Sequence, residues 1–172
     1  YLYKFVWKYG LKSHNLTGHH IVLMLLDFDL MLEVHEIFKN SSFSEENSWN
    51  SLIIDLVKCG ESHYAIKLYI QMQQHRPPET SLYAFSALLK ACGHTKDVKS
   101  GYTMHAEITR KWSLEKICLH SNIVIDMYVR CGSLCKAQAV LESLPVRDIV
   151  SWSVIIKGYF EQGQYHEALR SF

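Results

Sequence analysis

The chain has 172 residues, 48% of them apolar, enough for one domain with a full core. Its net charge of +1 offers no bulk electrostatic case for a polyanionic partner. Five cysteines, an odd number scattered through helical patterns, read as reduced thiols rather than a disulfide framework, and the longest apolar run, Ile21 to Leu26, is far too short to cross a membrane. Because the sequence begins at Tyr1 and stops at Phe172 within a periodic segment, we expect it to be part of a longer protein, with any targeting peptide outside it.

Tyr1 to Tyr9, closed by Gly10, has the pattern of the second helix of a helical pair. Asn15 to Glu45 is the first full pair, with helices near Leu16 to Leu26 and Leu30 to Phe38. There, Asp27-Phe28-Asp29 stands in place of a glycine break, and Asn40 to Ser44 in place of a proline stop. Glu46 to Ser81 follows, with helices near Ser48 to Cys59 and Ser62 to Gln74, closed by Pro77-Pro78. Leu82 to Ile117 is predicted to hold helices near Tyr83 to Cys92 and Val98 to Lys111, broken at Gly93.

Cys118 to Asp148 is the clearest pair. A helix from Asn122 to Arg130 ends at Cys131-Gly132, where glycine tolerates a left-handed cap. Ser133 then reads as the N-cap of a helix carrying Leu134, Ala137, Val140, Leu141 and Leu144, which Pro145 ends. Ile149 to Phe172 opens a fifth pair, broken at Gly163. The four full units measure 31, 36, 36 and 31 residues.

The units are copies of one another. Trp49-Asn50-Ser51-Leu52-Ile53 returns as Trp152-Ser153-Val154-Ile155-Ile156, 103 residues later. Lys58-Cys59-Gly60 returns as Arg130-Cys131-Gly132 after 72, and Ala65 returns as Ala137 and Ala168 at the same two offsets. Helix, break and small residue shift together. Self-similarity at this period marks a solenoid, in which each hairpin buries its apolar face on its neighbours. The expected fold is therefore an all-α, right-handed α-solenoid of stacked helical hairpins.

Chemistry within the chain has little support. No nucleophile-elbow, phosphate-loop or dinucleotide pattern occurs, and the ten histidines form no H-E-x-x-H element, so no catalytic residue is assigned. Cys131 and Cys135 are spaced i,i+4, but no second pair completes a four-ligand zinc site. Cys59 and Cys131 occupy equivalent positions, which suits a small packing residue. Neither a metal nor a cofactor is expected.

The phrases SWNSLI with KCG and AIKLYIQM, AFSALLKACG with GYTMHAEI, NIVIDMYVRCGSL, and PVRDIVSWSVIIKGYFEQGQYHEALRSF closely resemble plant pentatricopeptide-repeat (PPR) proteins. They look like the subclass in which ordinary, long and short (PLS) repeats alternate. The order here would be a long-repeat tail (1–14), short (15–45), ordinary (46–81), long (82–117), short (118–148) and the start of an ordinary repeat (149–172). Gln74-His75-Arg76 stands where the family has a glycine-containing turn, and the stretch from Trp112 to Ile117 carries about one extra residue.

The resemblance implies binding of single-stranded organellar RNA, about one nucleotide per repeat, read by two or three side chains. By that resemblance the polar readers are His19, Asn50, Ser86, Asn122 and Ser153. Their partners at the ends of the repeats are Glu45, Ser81, Ile117 and Asp148, and the stacking positions are Leu16, Asn47, Tyr83, Leu119 and Val150. Asn122 with Asp148 implies uridine; Asn50 with Ser81 implies a pyrimidine. Read from the residues alone, Asn122 could equally cap a helix, Asp148 could be a turn residue, and Tyr83 and Leu119 could pack between repeats. Lys90, Lys96, Lys99, Arg110, Lys111 and Lys116 outnumber the acids of the third repeat, and would meet phosphates if they share a face.

Members of the alternating subclass serve as site-recognition factors in plastid or mitochondrial C-to-U editing. Where they catalyse, a C-terminal zinc deaminase domain does so; its signature is not among these residues, so this chain is not expected to be an enzyme. RNA-editing cofactors or a large ribonucleoprotein assembly are further expected partners, with no membrane insertion and no small-molecule substrate. The alternative is a protein-interaction scaffold within a large organellar complex such as a ribosome, which the near-zero charge would suit.

Overall fold

The computed structural model describes residues 25, 28, 45–75, 80–112 and 114–170. Among them the regular structure is wholly helical, in eight helices: α1 (Glu45–Lys58), α2 (Ser62–His75), α3 (Leu82–Thr95), α4 (Val98–Lys111), α5 (Leu114–Arg130), α6 (Leu134–Ser143), α7 (Ile149–Glu161) and α8 (Tyr165–Arg170). Each odd-numbered helix folds back on the next to make a hairpin, the unit of a helical solenoid. The chain divides into two compact units at Ser81 and Leu82. The predicted helices before Glu45 and the Pro77-Pro78 stop lie outside the described residues.

Most of the described part of the N-terminal unit is the α1–α2 hairpin. Trp49, Leu52, Ile53 and Leu56 recur at three and four residues, so one stripe of α1 is apolar and buried. Ala65, Ile66, Leu68, Tyr69 and Met72 of α2 are buried as well. Full burial of each large side chain contributes about 1.5–3 kcal/mol, which a lone hairpin needs.

In the C-terminal unit α5 is central. Its first-helix neighbours α3 and α7 flank it, while α4 and α6 pack on it from the second-helix layer. Phe85, Leu88 and Leu89 of α3, Met104 and Ile108 of α4, and Val124, Ile125, Met127 and Tyr128 of α5 make the core. Leu134, Ala137 and Leu141 of α6 extend it, with Ile155 and Tyr159 of α7.

Three of the hairpins turn in the same way. Gly60, Gly132 and Gly163 have φ of +88°, +77° and +73°. The following residue's N–H returns to a carbonyl five back: Glu61 to Leu56 at 2.9 Å, Ser133 to Tyr128 at 2.8 Å, Gln164 to Tyr159 at 2.8 Å. This is a Schellman cap, and it closes carbonyls that the helix end leaves open. In the third repeat the same cap is made without glycine. Lys96 holds φ +57°, and Asp97 N–H reaches the Cys92 carbonyl at 3.0 Å.

That corrects the expected break at Gly93. Gly93 is buried inside α3, where a Cβ would meet Arg130 Cδ at 3.0 Å, so it serves helix packing rather than the turn. Five residues beyond each left-handed residue stands a small one: Ala65, Gly101, Ala137 and Ala168. A Cβ on Gly101 would lie 2.5 Å from Met127 Sδ, so its absence lets α4 approach α5.

Helix starts also differ from expectation. The helix expected from Asn122 begins at Leu114, because no breaker stands between Ser113 and Cys131 and most of its first residues are good helix formers. Ile117 therefore lies within a helix and not in a loop. Helix α1 starts at Glu45 rather than Ser48. Ser133 holds the N-cap position of α6 without a side-chain cap bond, whereas Asp97 and Asp148 cap α4 and α7 through Ser100 and Ser151.

Candidate functional site

Asn122 sits mid-way along α5, well past its first turn, so capping does not explain it. Its Nδ2 donates to Asp148 Oδ2 at 3.3 Å. Asp148 is the N-cap of α7: its Oδ1 accepts from Ser151 N–H at 2.7 Å and lies 2.6 Å from Ser151 Oγ. Ser151 Oγ is also 2.5 Å from Asn122 Oδ1, so the single hydroxyl proton serves two acceptors. The result is a three-residue knot across two neighbouring first helices. Arg147, just before it, donates to the Leu141 and Glu142 carbonyls at the end of α6 and fixes the connecting turn.

Hydrogen bonds from the Ser151 hydroxyl and N–H, with that of Asn122, hold the Asp148 carboxyl below its ordinary range. It is exposed and ionised at neutral pH. One amide proton of Asn122 and the outer lone pairs of Asp148 remain to meet a ligand. Val150, two residues on, is half exposed beside them.

The other candidates fare differently. Asn50 reaches the end of its repeat as Asn122 does, here through Oδ1, which accepts the Ser81 backbone N–H at 2.9 Å. Ser153 is exposed, and its hydroxyl donates to the Ile149 carbonyl at 2.6 Å. Tyr83 stands 75% exposed on α3, with its ring 6.2 Å from that of His120 in the next repeat. Ser86 is buried; its hydroxyl bonds the Leu82 carbonyl at 2.9 Å and lies 2.8 Å from His120 Nδ1. Leu119 falls within α5 and Asn47 within α1. His19 and Leu16 lie outside the described residues.

The structure adds His120, to which sequence reasoning gave no role. It borders Ser121, the residue standing where the other described repeats carry Trp49, Phe85 or Trp152, and that departure was the available signal.

The basic cluster is divided between the two helix layers: Lys90 is exposed on α3, a first helix, and Lys116 falls within α5. Lys99 and Arg110 are exposed on α4, a second helix, as is Lys111, which pairs with Glu107 at 3.5 Å and lies 5.4 Å from the Phe85 ring centre. Nor do the thiols converge on a metal: among the described residues no three metal-capable side chains cluster. Burial pushes the Cys92 thiol up to about 12. Cys131 Sγ donates to the Cys92 carbonyl at 3.5 Å, and Cys59, expected as a packing residue, is exposed.

Tandem hairpins with one recurring cap, one recurring small position and polar side chains meeting between first helices define a helical-repeat protein. Comparison with known proteins names the repeat: the PPR repeat profile matches residues 47–76, covering α1 and α2, and 150–172, covering α7 and α8. Those two stretches thus match the pentatricopeptide repeat.

A chloroplastic pentatricopeptide repeat-containing protein of Arabidopsis thaliana is 32% identical over 155 residues, 90% of this chain and 18% of that protein. A second from the same plant is 28% identical over 173 residues, 99% of this chain and 19% of its own length. A mitochondrial one is 29% identical over 165 residues, 96% of this chain and 16% of its own. The chain spans about a fifth of the length of these curated relatives.

Proposed function

We propose that this segment binds single-stranded RNA in a plant organelle, about one nucleotide per repeat, with Asn122 and Asp148 reading a uridine. One observation carries the proposal: an amide and an ionised carboxylate from neighbouring first helices meet at 3.3 Å. Uracil presents an acceptor, O4, beside a donor, N3–H. The free Asn122 amide proton suits the first and the Asp148 carboxylate the second. A paired contact of this kind discriminates bases by about 1–3 kcal/mol. Val150, half exposed beside the pair, and the exposed Tyr83 of the third repeat would stack on bases.

The repeat boundaries and the alternation of ordinary, long and short units belong to the same proposal, as do Leu119, Asn50, Ser81 and Ser153 as further contacts. Relatives named chloroplastic, mitochondrial, or both support an organellar setting. Within it we assign the segment to recognition of an RNA site for C-to-U editing or other processing, the chemistry being supplied by another domain or a partner.

A randomised single-stranded RNA pool, bound at two salt concentrations, tests this. Enrichment of uridine at one position, lost in Asn122→Ala, is expected. The competing reading is a protein-interaction scaffold, which the net charge of +1 and the placement of Lys99, Arg110 and Lys111 on a second helix favour. Absence of RNA affinity would select it.

A further inference from the structure

The residue after the helix aromatic, expected to be the base reader, is Ser86 in the third repeat. Only 8% of Ser86 is exposed, which leaves little of its hydroxyl for a base. That hydroxyl has two partners within its own unit. It donates to the Leu82 carbonyl at 2.9 Å, one turn back on α3. Its remaining lone pairs face His120 Nδ1, 2.8 Å away on α5. His120 in turn stands edge-on to Tyr83, with ring centres 6.2 Å apart and planes at 87°.

Resting on the RNA-binding reading above, we infer that His120 is the base-contacting residue of the third repeat, and that Ser86 is the positioning residue that holds its ring. The 2.8 Å contact is compatible with either tautomer, and we take the one in which the Ser86 proton stays on the Leu82 carbonyl. With the Ser86 proton committed to the Leu82 carbonyl, the hydrogen bond to His120 requires a proton on Nδ1, and Nε2 is left as a bare acceptor. Burial disfavours the imidazolium, which keeps the ring neutral at pH 7. Nε2 has no partner among the described residues.

The chemistry that suits a lone acceptor beside a stacking ring is an amino-bearing base. Adenine and cytosine carry an exocyclic amine where guanine and uracil carry a carbonyl oxygen. An acceptor there attracts the first pair and repels the second. Tyr83, exposed beside it, offers the stacking face, as aromatic residues do for single-stranded bases. Ile117, expected to complete this repeat's reader, is not needed for the contact.

The test is selection of the full 172-residue chain against a randomised single-stranded RNA pool, repeated with His120→Ala, His120→Gln, Ser86→Ala and Asn122→Ala. Wild type should enrich adenine or cytosine at the nucleotide next to the Asn122-dependent one. His120→Ala should reduce that preference about tenfold while the Asn122-dependent position keeps its own. His120→Gln, which retains an acceptor, should restore part of it, and Ser86→Ala should blur the same nucleotide and no other. An unchanged preference in His120→Ala overturns the inference while leaving the Asn122 reading intact. Loss of affinity in Ser86→Ala without any change of base preference also overturns it, since Ser86 would then serve only the fold. No RNA bound by wild type overturns the RNA reading itself.

Discussion

The Asn122 side-chain amide donates to the Asp148 carboxylate across 3.3 Å, tying the middle of α5 to the N-cap of α7. The same carboxylate accepts from the Ser151 backbone, so Asp148 serves both the helix start and the candidate site. Asp148→Ala should lower the urea midpoint of the C-terminal unit, because the first turn of α7 loses its cap. Asp148→Asn keeps a capping oxygen and should preserve the midpoint while removing the charge. Equal midpoints for wild type and Asp148→Ala would show that the cap carries no stability.

Lys96 occupies the position that glycine holds in three other hairpins, at φ +57°. A side chain in the left-handed region is strained by roughly 1–2 kcal/mol relative to the ordinary helical region, and glycine is not. Lys96→Gly should therefore stabilise the C-terminal unit, by about 1 kcal/mol once the greater freedom of the unfolded chain is set against the relief. Thermal or urea unfolding checks the sign. A lowered midpoint would contradict it.

Gly158 presents the opposite case. A Cβ there would lie 2.5 Å from Val129 Cγ1 and 2.9 Å from Leu134 Cδ2, both on neighbouring helices. Gly158→Ala gains about 1 kcal/mol of helix propensity but overpacks a junction where Val129 has few rotamers. Overpacking of about 1–3 kcal/mol should win, so this substitution is expected to destabilise. At Gly60 a Cβ would meet nothing within 4 Å, which isolates the backbone effect, and Gly60→Ala should destabilise through its φ of +88° alone.

Acid should weaken the C-terminal unit in two stages. Burial lowers the pKa of His105, with Lys136 adding to it, and burial alone lowers that of His120. Their folded values lie below the unfolded value near 6.5, so the unfolded chain binds more protons and stability falls as pH drops below about 6.5. For Asp97, burial raises the pKa, but hydrogen bonds from Ser100 and Lys99 outweigh it; for Asp148, those from Ser151 lead. Both carboxyls are held down, so their contribution is present above 3.8 and is lost as pH falls through the lower folded values. Urea midpoints at about pH 7.5, 5.5 and 3 should decline in that order, and His105→Gln should flatten the first step. A midpoint that does not change over the first step would contradict the assignment.

Much of the fold was legible because hairpin repeats write their geometry locally. Gly60, Gly132 and Gly163 mark left-handed caps, and Ala65, Ala137 and Ala168 mark close helix contacts, both set by steric size alone. The third repeat misled for the same reason: Gly93 looked like a break, while the actual turn used Lys96, which no propensity favours. Gly101, the small residue of that repeat, becomes recognisable only once the turn is placed at Lys96. The start of α5 was missed because a good helix-forming stretch simply continued backward to Leu114. At the site, Asn122 and Asp148 were legible as a pair, but Ser151 and His120 were not. Their roles depend on which helices lie side by side, and sequence spacing does not encode that distance.

Base readout by the Asn122–Asp148 pair is the claim on which the rest depends. Its most direct test is the affinity of the chain for two otherwise identical single-stranded RNAs, one carrying uridine and one guanosine at the enriched position, measured for wild type and Asn122→Ala. Wild type should favour uridine by about 1–3 kcal/mol, and the variant should bind both alike. Equal affinities in wild type, or a preference that survives the substitution, would contradict it.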